Sequence, residues 1–238
     1  MRFAEPLFPG RLVKRYKRFL ADIVLEDGQE ITAHCANPGS MLGIAIEGAR
    51  VWVSHHNTKK RKLPFSWEFV EIDNVLVPVN TTNPNKIVKE ALNAKLIPEF
   101  TGYETVRSEV KYGEEGSRID FLLSGGRRME DCYLEVKNVH LSRQAGLAEF
   151  PDSVTVRGAK HLRELSRVKR TGARTVLLFV VQRGDCTKFS PAADLDSNYG
   201  AAFAEAIDAG VEALCYDCEI TLEEAVLRKP LEMDLERL

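Results

Sequence analysis

The chain has 238 residues, which suits either one large domain or two small ones. Hydrophobic residues make up 44% of it and charged residues 29%, the balance of a globular protein with a sizeable core, and a formal net charge of -2 excludes a global positive field. Any affinity for nucleic acid must therefore come from local basic patches. The apolar run near Thr175–Val181 is far short of the ~20 residues a bilayer span needs. The N-terminus reads as lacking an apolar leader core. Five cysteines without framework spacing fit a reducing compartment. A cytoplasmic protein with no membrane partner is expected. The sequence leaves a homo-oligomer open.

In chain order, Arg18–Leu25 reads as a strand, Asp27-Gly28 as a hairpin turn and Glu30–Cys35 as the returning strand, which Asn37-Pro38-Gly39 breaks. Val51–Ser54, Trp67–Ile72 and Val75–Val79 read as further strands, with a tight turn at Asp73-Asn74. Short alternating strands of this number predict a small barrel or sandwich, of which the OB-like β-barrel is the commonest nucleic-acid-binding example. The texture changes near Asn80. Thr81-Thr82-Asn83-Pro84 looks like a helix entry, and Lys86–Leu96 reads as a helix ending before Pro98. Ser108–Tyr112, Arg118–Leu123 and Cys132–Val136 read as strands. Val156–Lys169 is a strongly periodic helix, with Ala159, Leu162, Leu165 and Ser166 on one face. Arg174–Val181 reads as a buried strand, Ala201–Ala209 as a helix and Val211–Cys215 as a last strand. The expected organisation is an OB-like nucleic-acid-binding domain over residues 1–82 and an α/β domain over 83–238.

The chemistry is concentrated in Ser117–Leu123 and Cys132–Lys137. Alternate side chains of a strand share a face, so Glu135 and Lys137 point one way while Leu134 and Val136 enter the core. The loop between the two segments brings Asp120 alongside. Two carboxylates and an ammonium among apolar neighbours are costly unless they pair or bind a metal. Mg2+ (or Mn2+) accepts hard oxygen ligands and keeps several waters, so Asp120 and Glu135 suffice as metal ligands beside a substrate phosphate. Lys137 suits a role holding or deprotonating the attacking water. The order D-x14-E-x-K is that of the restriction-endonuclease-like, or PD-(D/E)xK, nucleases. This predicts a mixed sheet with helices and a phosphodiester-hydrolysing site with Asp120, Glu135 and Lys137 as its catalytic residues. A plain cross-strand ion pair is the alternative reading of Lys137.

Glu90, on the helix before these strands, is a further candidate ligand, with Lys86 as its competing i, i+4 partner. Glu109 is a weaker candidate still. Arg157, Lys160 and His161, with Arg163 and Arg167, can track a phosphate backbone, as can Arg15 and Arg18 near the N-terminus and the Lys59-Lys60-Arg61-Lys62 run. Tyr16, Phe19, Trp52, Phe65 and Trp67 are candidate base-stacking platforms or core residues. Cys215 and Cys218, three apart on one strand, should face opposite ways and not share a metal. His55-His56 has no companion ligand set.

The chain resembles the prokaryotic sugar fermentation stimulation protein family, nearly end to end. The resemblance is carried by Arg15–Asp22, His34-Cys35, Asn57–Lys62, Ser108–Gly113, Ser117–Phe121, Glu135-Val136-Lys137, Phe150-Pro151-Asp152, Val156-Arg157-Gly158 and Lys160–Leu165. It departs from the family's pattern at Pro38, where Thr is expected, and at Asn138 and His140, where Ser and Thr are expected. The resemblance implies an N-terminal OB-like domain, a nuclease-like C-terminal domain, DNA as partner with little sequence preference, and a regulatory part in sugar (maltose) metabolism. Two readings follow: a Mg-dependent DNA endonuclease, or a non-catalytic DNA-binding regulator on a nuclease-like fold.

Overall fold

Residues 1–3, 6–57, 61–126 and 130–235 are described by the computed structural model. The chain opens with a strand that its sequence conceals. Leu7–Tyr16 (β1) contains Pro9-Gly10, and a register shift between Leu12 and Lys14 breaks its alternation. Leu20–Leu25 (β2) and Glu30–His34 (β3) follow, each alternating buried and partly exposed positions. Arg50–His55 (β4), Phe65–Ile72 (β5) and Val75–Pro78 (β6) complete the sheet, in the order β3-β2-β1-β4-β5-β6. A parallel pairing of Ala33 with Phe65 and His34 with Ser66 joins β3 to β5, closing β1–β5 into a barrel. Closure leaves neither β3 nor β5 as an open edge at that seam. Asp73 and Asn74, both at positive φ (50° and 64°), make the tight β5–β6 turn. Leu12, Ile23, Val51, Trp67 and Val70 fill the barrel.

Asn83–Asn93 (α1) starts and ends three residues earlier than the sequence suggests. Pro84 sits in its first turn, where no N–H is missed. Lys95, at φ 56°, ends it in the left-handed conformation common just past a helix. Beyond a 3-10 turn at Pro98–Phe100 come Thr105–Tyr112 (β7), Ser117–Ser124 (β8), Cys132–Val139 (β9), Leu141–Gln144 (β10) and Leu147–Phe150 (β11). Val156–Lys169 (α2) has the bounds its periodicity predicts, and the Thr155 side chain accepts the Gly158 N–H as its cap. Arg174–Val181 (β12), Lys188–Pro191 (β13), Ser197–Asp208 (α3), Glu212–Ile220 (β14), Ala225–Pro230 (β15) and Glu232–Met233 (β16) close the chain.

The large sheet runs β15-β14-β12-β9-β8-β7, with β9, β12 and β14 mutually parallel and an antiparallel hairpin at each edge. A smaller sheet, β10-β11-β13-β16, is made of strands of two to four residues, too short to show a period in the sequence. Every residue of β12 is buried, as expected of a strand covered on both faces. On one face Phe121, Leu134, Val136 and Leu178 pack with Ile87, Val88 and Ala91 of α1 and with Trp52 and Phe69 of the barrel. On the other, Leu122, Leu177 and Phe179 pack with Leu162, Leu165 and Phe203 of α2 and α3. The barrel thus shares a core with the large sheet. Each fully buried Leu or Phe contributes roughly 1.5–3 kcal/mol, so the shared core ties the two parts together.

Candidate active site

β8 and β9 pair at Leu123–Cys132, Leu122–Tyr133 and Phe121–Leu134. One step further along the same antiparallel register brings Asp120 opposite Glu135, and there the ladder stops. The Val136 main-chain N–H instead donates to Asp120 Oδ2 at 2.7 Å, and Asn85, in the first turns of α1, donates to Oδ1 at 2.7 Å. The Asp120 carboxylate is thereby fixed by two elements. On the far side of β8, Glu109 falls between the Ser108–Phe121 and Val110–Ile119 pairs, opposite Asp120, with φ at 58°. A non-glycine residue held there stores strain of the kind found at functional sites. Its side chain is exposed.

Glu135 and Lys137 share the face of β9 that looks toward α2, as strand alternation requires. Lys137 Nζ donates to Glu135 Oε1 at 2.8 Å, and His161 Nδ1 of α2 meets the same oxygen. Glu135 and Lys137 are only 3% and 9% exposed, more deeply set than a cluster on a one-sided sheet would be, because α2 and α3 cover this face too. Glu135 Oε2 is buried with no hydrogen-bond partner, as are the hydroxyls of Tyr112 and Tyr199.

Burial pushes the Asp120 carboxyl up to about 6, and the neighbouring Glu135 charge adds to that; the Val136 amide, Asn85 and Lys137 act against it. Burial also opposes ionisation of Glu135, but Lys137 and His161 outweigh it and hold that carboxyl below its ordinary range. Glu135 is thus a firm carboxylate, and Asp120 is a carboxylate that gains most from an added positive charge. The donor set fits a hard divalent cation: two hard-oxygen carboxylates on adjoining strands, one with an orphaned buried oxygen. Among the described residues no group of three or more His, Cys, Asp or Glu gathers as a metal cage. Mg2+ needs no such cage, since it keeps waters and takes substrate oxygens.

Glu90 is not brought to this cluster. Five positions along α1 from Asn85 it is turned about 140° away. Its exposed carboxylate pairs with the Met1 amino group at 2.7 Å, a partner that the i, i+4 reading with Lys86 did not foresee. His161 departs from its expected place on a phosphate-tracking face: it is 5% exposed and belongs to the site. It lies on the stripe of Leu162 and Leu165, and that helical phase is the signal that could have placed it. Asn85 was missed because a lone Asn near a helix start reads as local capping.

Among the basic residues, Arg157 is exposed and Lys160 partly so, with Lys160 Nζ donating to the Glu115 carbonyl at 2.6 Å. Arg15 proves to be a loop organiser. Its guanidinium donates to the carbonyls of Arg18, Asn37, Gly39 and Ser40. Arg18, Arg61 and Lys62 are exposed, and Arg61 Nη1 donates to Ser66 Oγ at 3.0 Å. Lys59 and Lys60 lie outside the described residues. Trp52 and Trp67 are core, and Phe19 is the exposed aromatic of its set, stacked near His34. Cys215 and Cys218 enter opposite cores, as their spacing requires.

The profile described as "SfsA N-terminal OB domain" matches residues 13–79, and that described as "Sugar fermentation stimulation protein RE domain" matches residues 82–224. The chain belongs to the sugar fermentation stimulation protein family. A homologue of that protein in Jannaschia sp. (strain CCS1) is 54% identical over 235 residues, covering 98% of this chain and 97% of its own. A homologue in Paramagnetospirillum magneticum is 52% identical, covering 99% and 98%. A solved structure, "The structure of Pyrococcus Furiosus SfsA in complex with Ca2+", superposes with a TM-score of 0.86 at 25% identity, covering 97% of each chain. Barrel, mixed sheets and helices are therefore a family architecture. No helix among the described residues is long and apolar enough to cross a membrane.

Proposed function

We propose that this protein binds DNA with little sequence preference and hydrolyses phosphodiester bonds with a Mg2+- or Mn2+-dependent site built on Asp120, Glu135 and Lys137. The observation that carries the reading is the buried, unpartnered Glu135 Oε2 beside a carboxyl that burial, and then the Glu135 charge, keep hard to ionise. Two desolvated carboxylates on adjoining strands repel each other, and a divalent cation between them relieves both penalties. The solved relative from Pyrococcus furiosus is in complex with Ca2+, a hard divalent cation, which supports this reading.

A bound Mg2+ supplies Lewis acidity toward a phosphate and eases ionisation of water. Asp120 and Glu135 would hold it, with Asn85 and the Val136 amide fixing the Asp120 carboxylate in place. Lys137 would release or share its bond to Glu135 to hold the attacking water, and its charge stabilises the developing anion. Arg157 and Lys160 of α2, with Arg18, Arg61 and Lys62 of the barrel, would contact phosphates.

The non-catalytic regulator reading has one observation in its favour: Lys137 Nζ already has a carboxylate partner. Nicking of supercoiled and branched DNA across Mg2+ and Mn2+ concentrations, with wild type and Asp120→Asn, separates the two. Cleavage by wild type that Asp120→Asn abolishes supports the nuclease. DNA binding without cleavage, and no metal uptake by calorimetry, leaves the regulator.

A further inference from the structure

The environment of His161 fixes more than a contact. Its Nδ1 faces Glu135 Oε1, and its Nε2 lies 3.3 Å from Arg157 Nε. An arginine N–H only donates, and a carboxylate only accepts. The ring is thus held at both nitrogens, by the Glu135 carboxylate on one side and by an arginine of its own helix on the other. Positions 157 and 161 are one helical turn apart, so α2 itself sets the Arg157–His161 geometry. The start of α2 is fixed in turn: a Cβ at Gly158 would lie 2.8 Å from Thr155 Cγ2 and 3.0 Å from Tyr199 Cε2, so this turn is packed tightly against α3.

We infer that His161 is a positioning residue of this site: held in place by α2 and Arg157, it engages Glu135 at Oε1 so that Oε2 is the oxygen presented to a divalent cation. The inference rests on the metal-dependent reading above. Lys137 and His161 together occupy Oε1, which explains why Oε2 has no partner despite its burial. The bonds form a line from exposed Arg157 through buried His161 to the carboxylate, the outer-shell arrangement that orients metal ligands elsewhere.

The test uses the full chain and two readouts. Mn2+ binding, followed by electron paramagnetic resonance, compares wild type with His161→Ala and His161→Asn. Loss of an outer-shell partner should weaken Mn2+ binding about 10- to 100-fold in His161→Ala. His161→Asn, whose amide N–H stands near the lost Nδ1, should recover most of it. Independently, Mg2+ added to the full chain should shift the 15N NMR resonances of the His161 ring, which touches the ligating carboxylate. Arg157→Ala, at an exposed position, serves if His161→Ala does not fold: Mn2+ binding should again become weaker. A wild type that takes up no Mn2+ overturns the metal reading and this inference with it. Wild-type uptake with unchanged affinity in His161→Ala and Arg157→Ala, or His161 ring resonances unmoved by Mg2+ that binds, overturns the role of His161 alone.

Discussion

The Val136 main-chain N–H donates to Asp120 Oδ2 at 2.7 Å, at the point where the β8–β9 ladder ends. A backbone donor that would serve the sheet serves a carboxylate instead. That exchange opens the two strands just where Glu135 and Lys137 emerge, and it restrains a carboxyl that burial and Glu135 push up to about 6. The site is therefore sensitive to protons and to cations alike.

The first prediction concerns their competition. Protons and a divalent cation contend for Asp120, so Mn2+ affinity should rise by up to about tenfold per pH unit below 6 and level off above it. Without metal the sign for stability is the reverse. The folded protein holds its Asp120 proton more tightly than the unfolded chain, whose carboxyl titrates near 3.8. Stability should thus fall as pH rises from about 4 to about 6 and stay flat beyond. Asp120→Asn should remove this contribution. Urea melts of the metal-free protein at a series of pH values check it.

Asp152 gives a second prediction, of opposite sign. Its backbone carbonyl accepts the Ser40 hydroxyl at 2.6 Å, its Oδ2 accepts the Met41 N–H at 2.8 Å, and His140 Nε2 lies 3.4 Å away. It therefore ties the loop after β3 of the barrel to the connection between β11 and α2. Burial opposes its ionisation, but His140 and the Met41 amide prevail and hold it at about 2. This stabilisation is fully present above the unfolded value of 3.8 and is lost as pH falls through 2. Asp152→Ala should cost about 2 kcal/mol at neutral pH and flatten the acid limb of a stability profile.

Gly113 tests the packing behind the site. It stands at φ 69°, and a Cβ there would fall 1.4 Å from Oε2 of the fully buried Glu164. Glu164 is also an ion-pair partner of Arg167 and accepts the Glu115 N–H at 3.4 Å, so α2 is tied to the β7–β8 turn. Gly113→Ala should destabilise by roughly 1–3 kcal/mol or more from backbone strain alone, read from the denaturant midpoint. An unchanged midpoint would mean that the turn shifts freely.

The basic residues separate by what they already touch. Neutralising Lys59, Lys60, Arg61 and Lys62 together should flatten the dependence of log DNA affinity on log salt by up to about 0.9 per lost phosphate contact. Arg15→Ala should leave that slope unchanged and lower stability, because its guanidinium is spent on four carbonyls. Binding titrations between low and moderate salt distinguish the two.

What was legible in the sequence follows from which interactions have a period. Asp120, Glu135 and Lys137 stand out because strand alternation sets charges against apolar neighbours, and α2 stands out because its apolar stripe runs unbroken along one face. β1 was hidden by Pro9-Gly10 and its register shift, although Leu12 is core. Strands of the small sheet carry no repeat of their own and exist through long-range pairing such as Leu147 with Lys188. His161 was read by charge rather than by phase, and Asn85 reaches Asp120 across 35 residues, a contact that no local pattern encodes.

The central claim is that Asp120 and Glu135 together hold a divalent cation. The direct measurement is the anomalous difference density of a crystal of this protein soaked in Mn2+, compared with a crystal of Asp120→Asn treated alike. A peak between the Asp120 carboxylate and Glu135 Oε2 in wild type, absent in the variant, is the result expected. Density at neither carboxylate, or an equal peak in both crystals, would contradict it.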